Sequence, residues 1–256
     1  MKIQFSALAL MLSLVACQKV DDSPKSPLSD KKVSESHTNS SMVSTLAKDP
    51  QFGWLAVLRD NYPSEFSEVE DEMRNIIDRG ADLNASKLAM ASLVKPFMDA
   101  HRIAARGAPD ADLVAYLRKN TAVAEALLKS DPKACNDVFK GGLDPATTLP
   151  DATWKKMSDA TAQLLLTARA AKESPVVRGD VSLTQEDVRT WYQGMQSIGA
   201  GVDTFAFLND PALKAAATPS EKCRVRVQMM KGALALPEQL AAKIPHFPSK
   251  ALISLS

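Results

Sequence analysis

Residues 184–198 read TQEDVRTWYQGMQSI, and two independent patterns in this stretch specify a helix. Val188, Trp191, Tyr192, Met195 and Ile198 recur at i, i+3, i+4, i+7 and i+10, which places them on one side of a coil with about 3.6 residues per turn. Thr184 is followed three residues later by Asp187, the form of a capping box. In that motif two side chains satisfy the backbone amides that a helix start leaves without partners.

The same grammar continues in both directions. Phe66, Val69, Met73, Ile76 and Ile77 form one apolar stripe, and Met90, Leu93, Val94, Phe97 and His101 form another. Trp154, Met157, Leu164, Leu165 and Ala168 make a third, with Thr161 as its polar member, and Cys223, Val227, Met230 and Leu234 a fourth. Thr218 with Glu221 repeats the capping box. Asp-Pro pairs at Asp49-Pro50, Asp131-Pro132, Asp144-Pro145 and Asp210-Pro211 mark further helix starts, because proline is tolerated in a first turn. Gly80, Gly107 and Gly141 follow helical stretches as C-caps do. Pro96 falls inside a helical pattern, where it should free the carbonyl of Ser92 and bend or divide the helix.

No alternating run argues for a strand; Val176-Val177 and residues 251–255 are the short stretches that could be extended. Glu173 to Leu183 is the longest loop candidate. The expected fold is all-α: one multi-helix globular domain of roughly eight to ten helices over residues 46–256.

Composition agrees with a folded chain. Of 256 residues, 45% are apolar and 24% charged, too hydrophobic for a wholly disordered chain. The 31 basic residues are balanced by 30 acidic ones, so no basic field exists to attract nucleic acid, and none is expected as a partner.

The first seventeen residues are different in kind. Lys2 supplies a positive charge, Ile3 to Ala16 form a mostly apolar run, and the run ends in Leu14-Val15-Ala16-Cys17. Such a run is too short to cross roughly 30 Å of hydrocarbon as a helix and reads as a secretory signal. These four residues match, position by position, the lipobox of bacterial lipoprotein precursors, which this segment resembles. The resemblance implies cleavage of residues 1–16 and diacylglyceryl transfer to the Cys17 thiol. It further implies a chain held in a bilayer by several acyl chains, since one alone binds only marginally. Gln18, where inner-membrane lipoproteins of Gram-negative bacteria typically carry Asp, implies the outer membrane; Gln18 does not specify orientation, and a domain facing the periplasm is the expectation. Residues 17–45 then form a lipidated tether rich in Ser, Lys and Asp. As a coil its 18–43 portion would span roughly 28 Å, and at full stretch on the order of 90 Å.

With Cys17 lipidated, Cys135 and Cys223 remain in a chain sent to an oxidising compartment, where a disulfide is the natural pairing. The other reading is two separately buried thiols, since Cys135 shares a face with Val138 and Phe139, and Cys223 with Val227.

Chemistry-bearing constellations are harder to find. His37, His101 and His246 lie in separate segments without paired spacing, so no metal or cofactor is expected. His37 reads as a solvated tether residue, His101 as a hydrogen-bonded interior or boundary residue, and His246 as part of a turn or surface. Glu65, Glu68, Glu70, Asp71 and Glu72 form the densest acidic cluster at a helix start, where the dipole favours negative charge. They are the first surface to consider for a basic partner. Glu173-Ser174 followed by Gly194-Met195-Gln196 is loosely similar to the Glu-Ser and Gly-Leu-Met-Gln order of lytic transglycosylases, whose glutamate protonates a glycosidic oxygen. Pro175 follows directly, the leucine is missing, and Gly194 falls within a helical pattern.

These features lead to an envelope lipoprotein acting as a non-catalytic protein-binding module, either an inhibitor or immunity protein or an accessory subunit of an envelope complex. Its partners would be the membrane, through the lipid anchor, and an envelope protein. The competing readings are a binder of small molecules or lipids between helices, and a peptidoglycan-acting hydrolase built on Glu173.

Overall fold

Four helix starts are set by side chains that accept hydrogen bonds from orphan amides. Thr184 accepts from the Asp187 amide at 3.1 Å while Asp187 accepts from the Thr184 amide at 3.0 Å, a complete capping box. Thr218 and Glu221 form the second. Asp210 accepts from the amides of Ala212 and Leu213, and Asp131 from that of Ala134, each with proline as the next residue.

The computed structural model describes residues 49–80, 83–140, 143, 147–178 and 183–244. Among these there are eleven α-helices and no strand. They are α1 (Trp54–Asn61), α2 (Pro63–Asp78), α3 (Leu83–Ala104), α4 (Asp110–Ser130), α5 (Pro132–Lys140) and α6 (Asp151–Glu173). There follow α7 (Gln185–Ser197), α8 (Val202–Asn209), α9 (Pro211–Ala216), α10 (Pro219–Leu234) and α11 (Glu238–Ala241). A 3-10 turn at Ala105–Gly107 joins α3 to α4. The count exceeds the expected eight to ten because α9 and α11 have six and four residues, too few to carry a repeating stripe.

Among the described residues the long helices α4 and α6 pack against each other more extensively than any other pair; α1, α3, α5, α10, α11 and the 3-10 turn attach to this spine, and α2 and α7 are held through those elements. On one side, α1, α2 and α3 cover α6 through Trp54, Leu55, Leu58, Val69, Met73 and Met98, which meet Leu164, Leu165 and Ala168. On another, α5 and α10 close around Val123, Leu127, Ala134, Leu149 and Ala160. A third cluster unites Leu117 of α4 with Trp191 and Met195 of α7 and Ala233 of α10. No helix is long and apolar enough to cross a membrane among the described residues.

Three local expectations are refined. α3 runs undivided through Pro96. Gly80 adopts the left-handed φ of +83° that a C-cap requires, whereas Gly107 closes the 3-10 turn without a positive φ. Residues 174–178 are irregular and not a strand: the Val176 amide donates to the Gly107 carbonyl at 2.8 Å, and the Arg178 side chain donates to the Arg106 carbonyl and pairs with Asp110. Gly141, Asp144-Pro145 and residues 251–255 lie outside the described residues.

α7 and α10 cross closely at Gly194 and Gly232. A Cβ on Gly232 would stand 2.3 Å from Met195 Cγ and 3.0 Å from the Met195 backbone, and one on Gly194 would stand 2.7 Å from the Gly232 carbonyl oxygen. Mid-helix glycine normally costs about 1 kcal/mol relative to alanine. Here the sign should reverse: Gly232→Ala should lower unfolding stability by about 1–3 kcal/mol in chemical denaturation. Gly107→Ala, whose new methyl would meet its nearest neighbour at 3.9 Å, should leave it nearly unchanged.

Candidate functional site

The acidic cluster is carried by α2. Val69 and Met73 are 5% and 1% exposed and fix that helix's rotation, with Phe66 and Ile76 partly buried beside them. At 100° per residue this turns Glu68 and Asp71 outward, sets Glu65 and Glu72 along one border of the buried face and Glu70 along the other. The five carboxylates therefore wrap around the helix and do not form one plane. Two of them are ion-paired, Asp71 with Arg74 at 2.9 Å and Glu72 with Arg79 at 3.2 Å, and Glu65 accepts from the Ser64 hydroxyl at 2.9 Å.

Where α2 begins, Tyr62 and His101 form a buried aromatic junction with Phe97. The His101 ring lies 4.4 Å from that of Tyr62 and 4.2 Å from that of Phe97, centre to centre, and the residue is only 8% exposed. The Tyr62 hydroxyl donates to the Leu165 carbonyl at 2.9 Å, and the Lys172 ammonium sits 5.6 Å from the Tyr62 ring centre. Burial, aided by the Glu65 carboxylate, pushes the Tyr62 phenol up to about 12. Burial also holds the His101 imidazole below its ordinary value; Glu65 of α2 opposes that shift and Lys172 of α6 adds to it. His101 is thus an interior residue, but ring contacts hold it where a hydrogen bond was expected.

Cys135 of α5 and Cys223 of α10 are joined by a disulfide, with Cα atoms 5.9 Å apart and both residues fully buried. It binds two helices that are far apart in sequence at the centre of one hydrophobic cluster. This settles the choice between a bridge and two separate thiols.

Glu173 ends α6 as an exposed residue paired with Arg169 at 2.6 Å. Arg169 also bonds to the Asn61 side chain. Gly194 and Met195 are instead consumed by the crossing with α10. Among the described residues no hydrogen bond or ring contact links Glu173 to residues 194–196. Also among these residues, no group of three His, Cys, Asp or Glu is placed to hold a metal. Cys17, His37 and His246 lie outside the described residues.

Sequence reasoning passed over α4, whose buried Leu113, Leu117, Thr121, Ala124 and Leu127 do follow a helical spacing. Thr121 and Ala124 interrupt the large apolar side chains of its buried stripe. No family model matches this chain, and neither a curated protein nor a solved structure matches it.

The disulfide closes a separation of 88 residues, for which the chain-entropy model gives roughly 4.6 kcal/mol. Reductant should accordingly lower the wild-type denaturation midpoint steeply and leave a Cys135→Ser/Cys223→Ser variant, already destabilised, unaffected. His101 makes a separate pH signature. Because its folded-state affinity for protons is depressed, its contribution is fully present above the unfolded value of 6.5 and is lost as pH falls below it. Wild-type stability should decline below pH 6.5 with a slope of at most about 1.4 kcal/mol per pH unit relative to His101→Phe. Parallel curves for the two proteins would exclude the assignment.

Proposed function

We propose that this protein is an envelope lipoprotein, fastened through Cys17 to the outer membrane and facing the periplasm. Its helical domain serves there as a non-catalytic protein-binding module, in the manner of an inhibitor or immunity protein or of an accessory subunit of an envelope complex. The observation that carries the reading is the Cys135–Cys223 disulfide. Structural disulfides persist in oxidising compartments and are rare in a reducing cytosol. The lipobox-like Leu14-Val15-Ala16-Cys17 supplies the route to such a compartment.

The outward carboxylates of α2, Glu68 and Asp71, are the contact surface this reading favours, because they stand clear of the core. Charges at an interface rim act chiefly on association rate and salt dependence. Two measurements test the reading. Intact mass of protein purified from membranes should show an acylated chain beginning at Cys17, and Cys17→Ser should shift it to the soluble fraction. A Glu68→Lys/Asp71→Lys variant, still lipidated and folded, should lose most of its partner capture from a membrane extract. A chain that starts at Met1 without acyl mass would overturn the localisation, and undiminished capture would overturn the surface.

A further inference from the structure

Among the described residues, one buried side-chain nitrogen or oxygen has no hydrogen-bond partner, the Nε of Arg226 on α10. The side chain is half-buried, and its guanidinium carbon lies 4.7 Å from the centre of the Phe139 ring on α5. No described carboxylate neutralises it. Asp137 of α5 is paired with Lys133, and Glu125 of α4 with Lys231. Glu221 of α10 is turned back onto the Thr218 amide and hydroxyl at 2.8 and 2.7 Å. Burial lowers the proton affinity of Arg226 from its ordinary value, as expected for a cation withdrawn from water without a counter-charge. An aromatic face offsets only part of that desolvation.

We propose that Arg226, backed by Phe139 and with Lys222 one turn earlier on the same side of α10, is a binding site for a carboxylate from outside the chain. With Nε sealed, the guanidinium can present its two terminal nitrogens edge-on. That fork matches the two oxygens of a carboxylate in the plane of the group. Phe139 covers one face of the guanidinium and selects for a flat anion approaching along the edge. The Lys222 ammonium, four residues before Arg226, adds positive charge within reach of the same ligand. The site lies on the mature domain beside the disulfide, since Cys223 and Cys135 precede Arg226 and Phe139 by about one turn. It does not depend on lipidation or on the acidic residues of α2.

The experiment uses the oxidised protein and acetate as the probe, titrated against chloride at constant ionic strength. The Arg226 Nε–Hε resonance should shift saturably with acetate and stay in place with chloride. The blocked amino acid N-acetyl-glutamate methylamide distinguishes the sources. Tighter binding than acetate assigns the carboxylate to a protein side chain, and equal binding assigns it to a small carboxylate. Arg226→Met supplies the independent measure, because it removes an uncompensated cation while keeping contact with Phe139. Its thermal midpoint without acetate should rise by about 2–4 °C over wild type, and acetate should no longer raise it. A shift that does not saturate, one that chloride reproduces, or a variant less stable than wild type would each overturn the assignment.

Discussion

The Thr167 hydroxyl of α6, fully buried, lies 2.8 Å from the Gln163 carbonyl of its own helix and 3.3 Å from the Asp112 carbonyl of α4. Its one proton is thereby shared across the seam on which every other element depends. A polar group in a dry interface is tolerated only when its hydrogen-bonding capacity is met, and here the need is met within the seam itself. Around it, Ala160, Ala168 and Thr153 keep the buried side of α6 low. Small side chains allow α4 to lie close along the helix while leaving Leu164 and Leu165 to fill the space beneath α1 and α3. Were α6 to shift against α4, the aromatic junction at His101 and the disulfide cluster would both lose one wall.

Attachment between the helices repeats a single device, a side chain of one element bonded to the backbone of a distant one. Ser158 of α6 accepts from the Trp54 amide at the start of α1, Tyr62 donates to Leu165, and Asn136 of α5 donates to the Pro219 carbonyl at the start of α10. Trp191 of α7 donates to the Met229 carbonyl of α10. Each bond fixes an angle that hydrophobic contact leaves loose, because burial is nearly indifferent to direction and a hydrogen bond is not. The disulfide adds a covalent tie between α5 and α10 where no bond of this kind reaches the cluster centre. Against this economy Arg226 stands out, for its neighbours satisfy their own polar groups and leave its charge without an anion.

Much of the secondary structure was legible in particular residues. Thr184 with Asp187 and Thr218 with Glu221 marked helix starts to the residue, since a capping box depends on atoms only three positions apart. The stripes through α2, α3, α6, α7 and α10 were equally open to reading, because each of these helices has a wet side to contrast with its dry one. In α4 Thr121 and Ala124 interrupted the large apolar side chains of the buried stripe, and α9 and α11 were too short to show a period. The Arg226 site left a faint trace, a cation at the border of the stripe formed by Cys223, Val227 and Met230. Nothing in the chain announced that Phe139 would face it.

The order of residues by itself determined the helical class, the caps, the two cysteines available for pairing and the lipobox-like leader, all matters of local spacing and side-chain chemistry. Tertiary structure decided which face met which: that Gly194 would meet Gly232 and that Tyr62 would reach both the His101 ring and the Leu165 carbonyl. Those outcomes turn on approach distances between segments roughly forty to one hundred residues apart. No local pattern encodes such distances, because they are set by the joint packing of all the helices around α4 and α6.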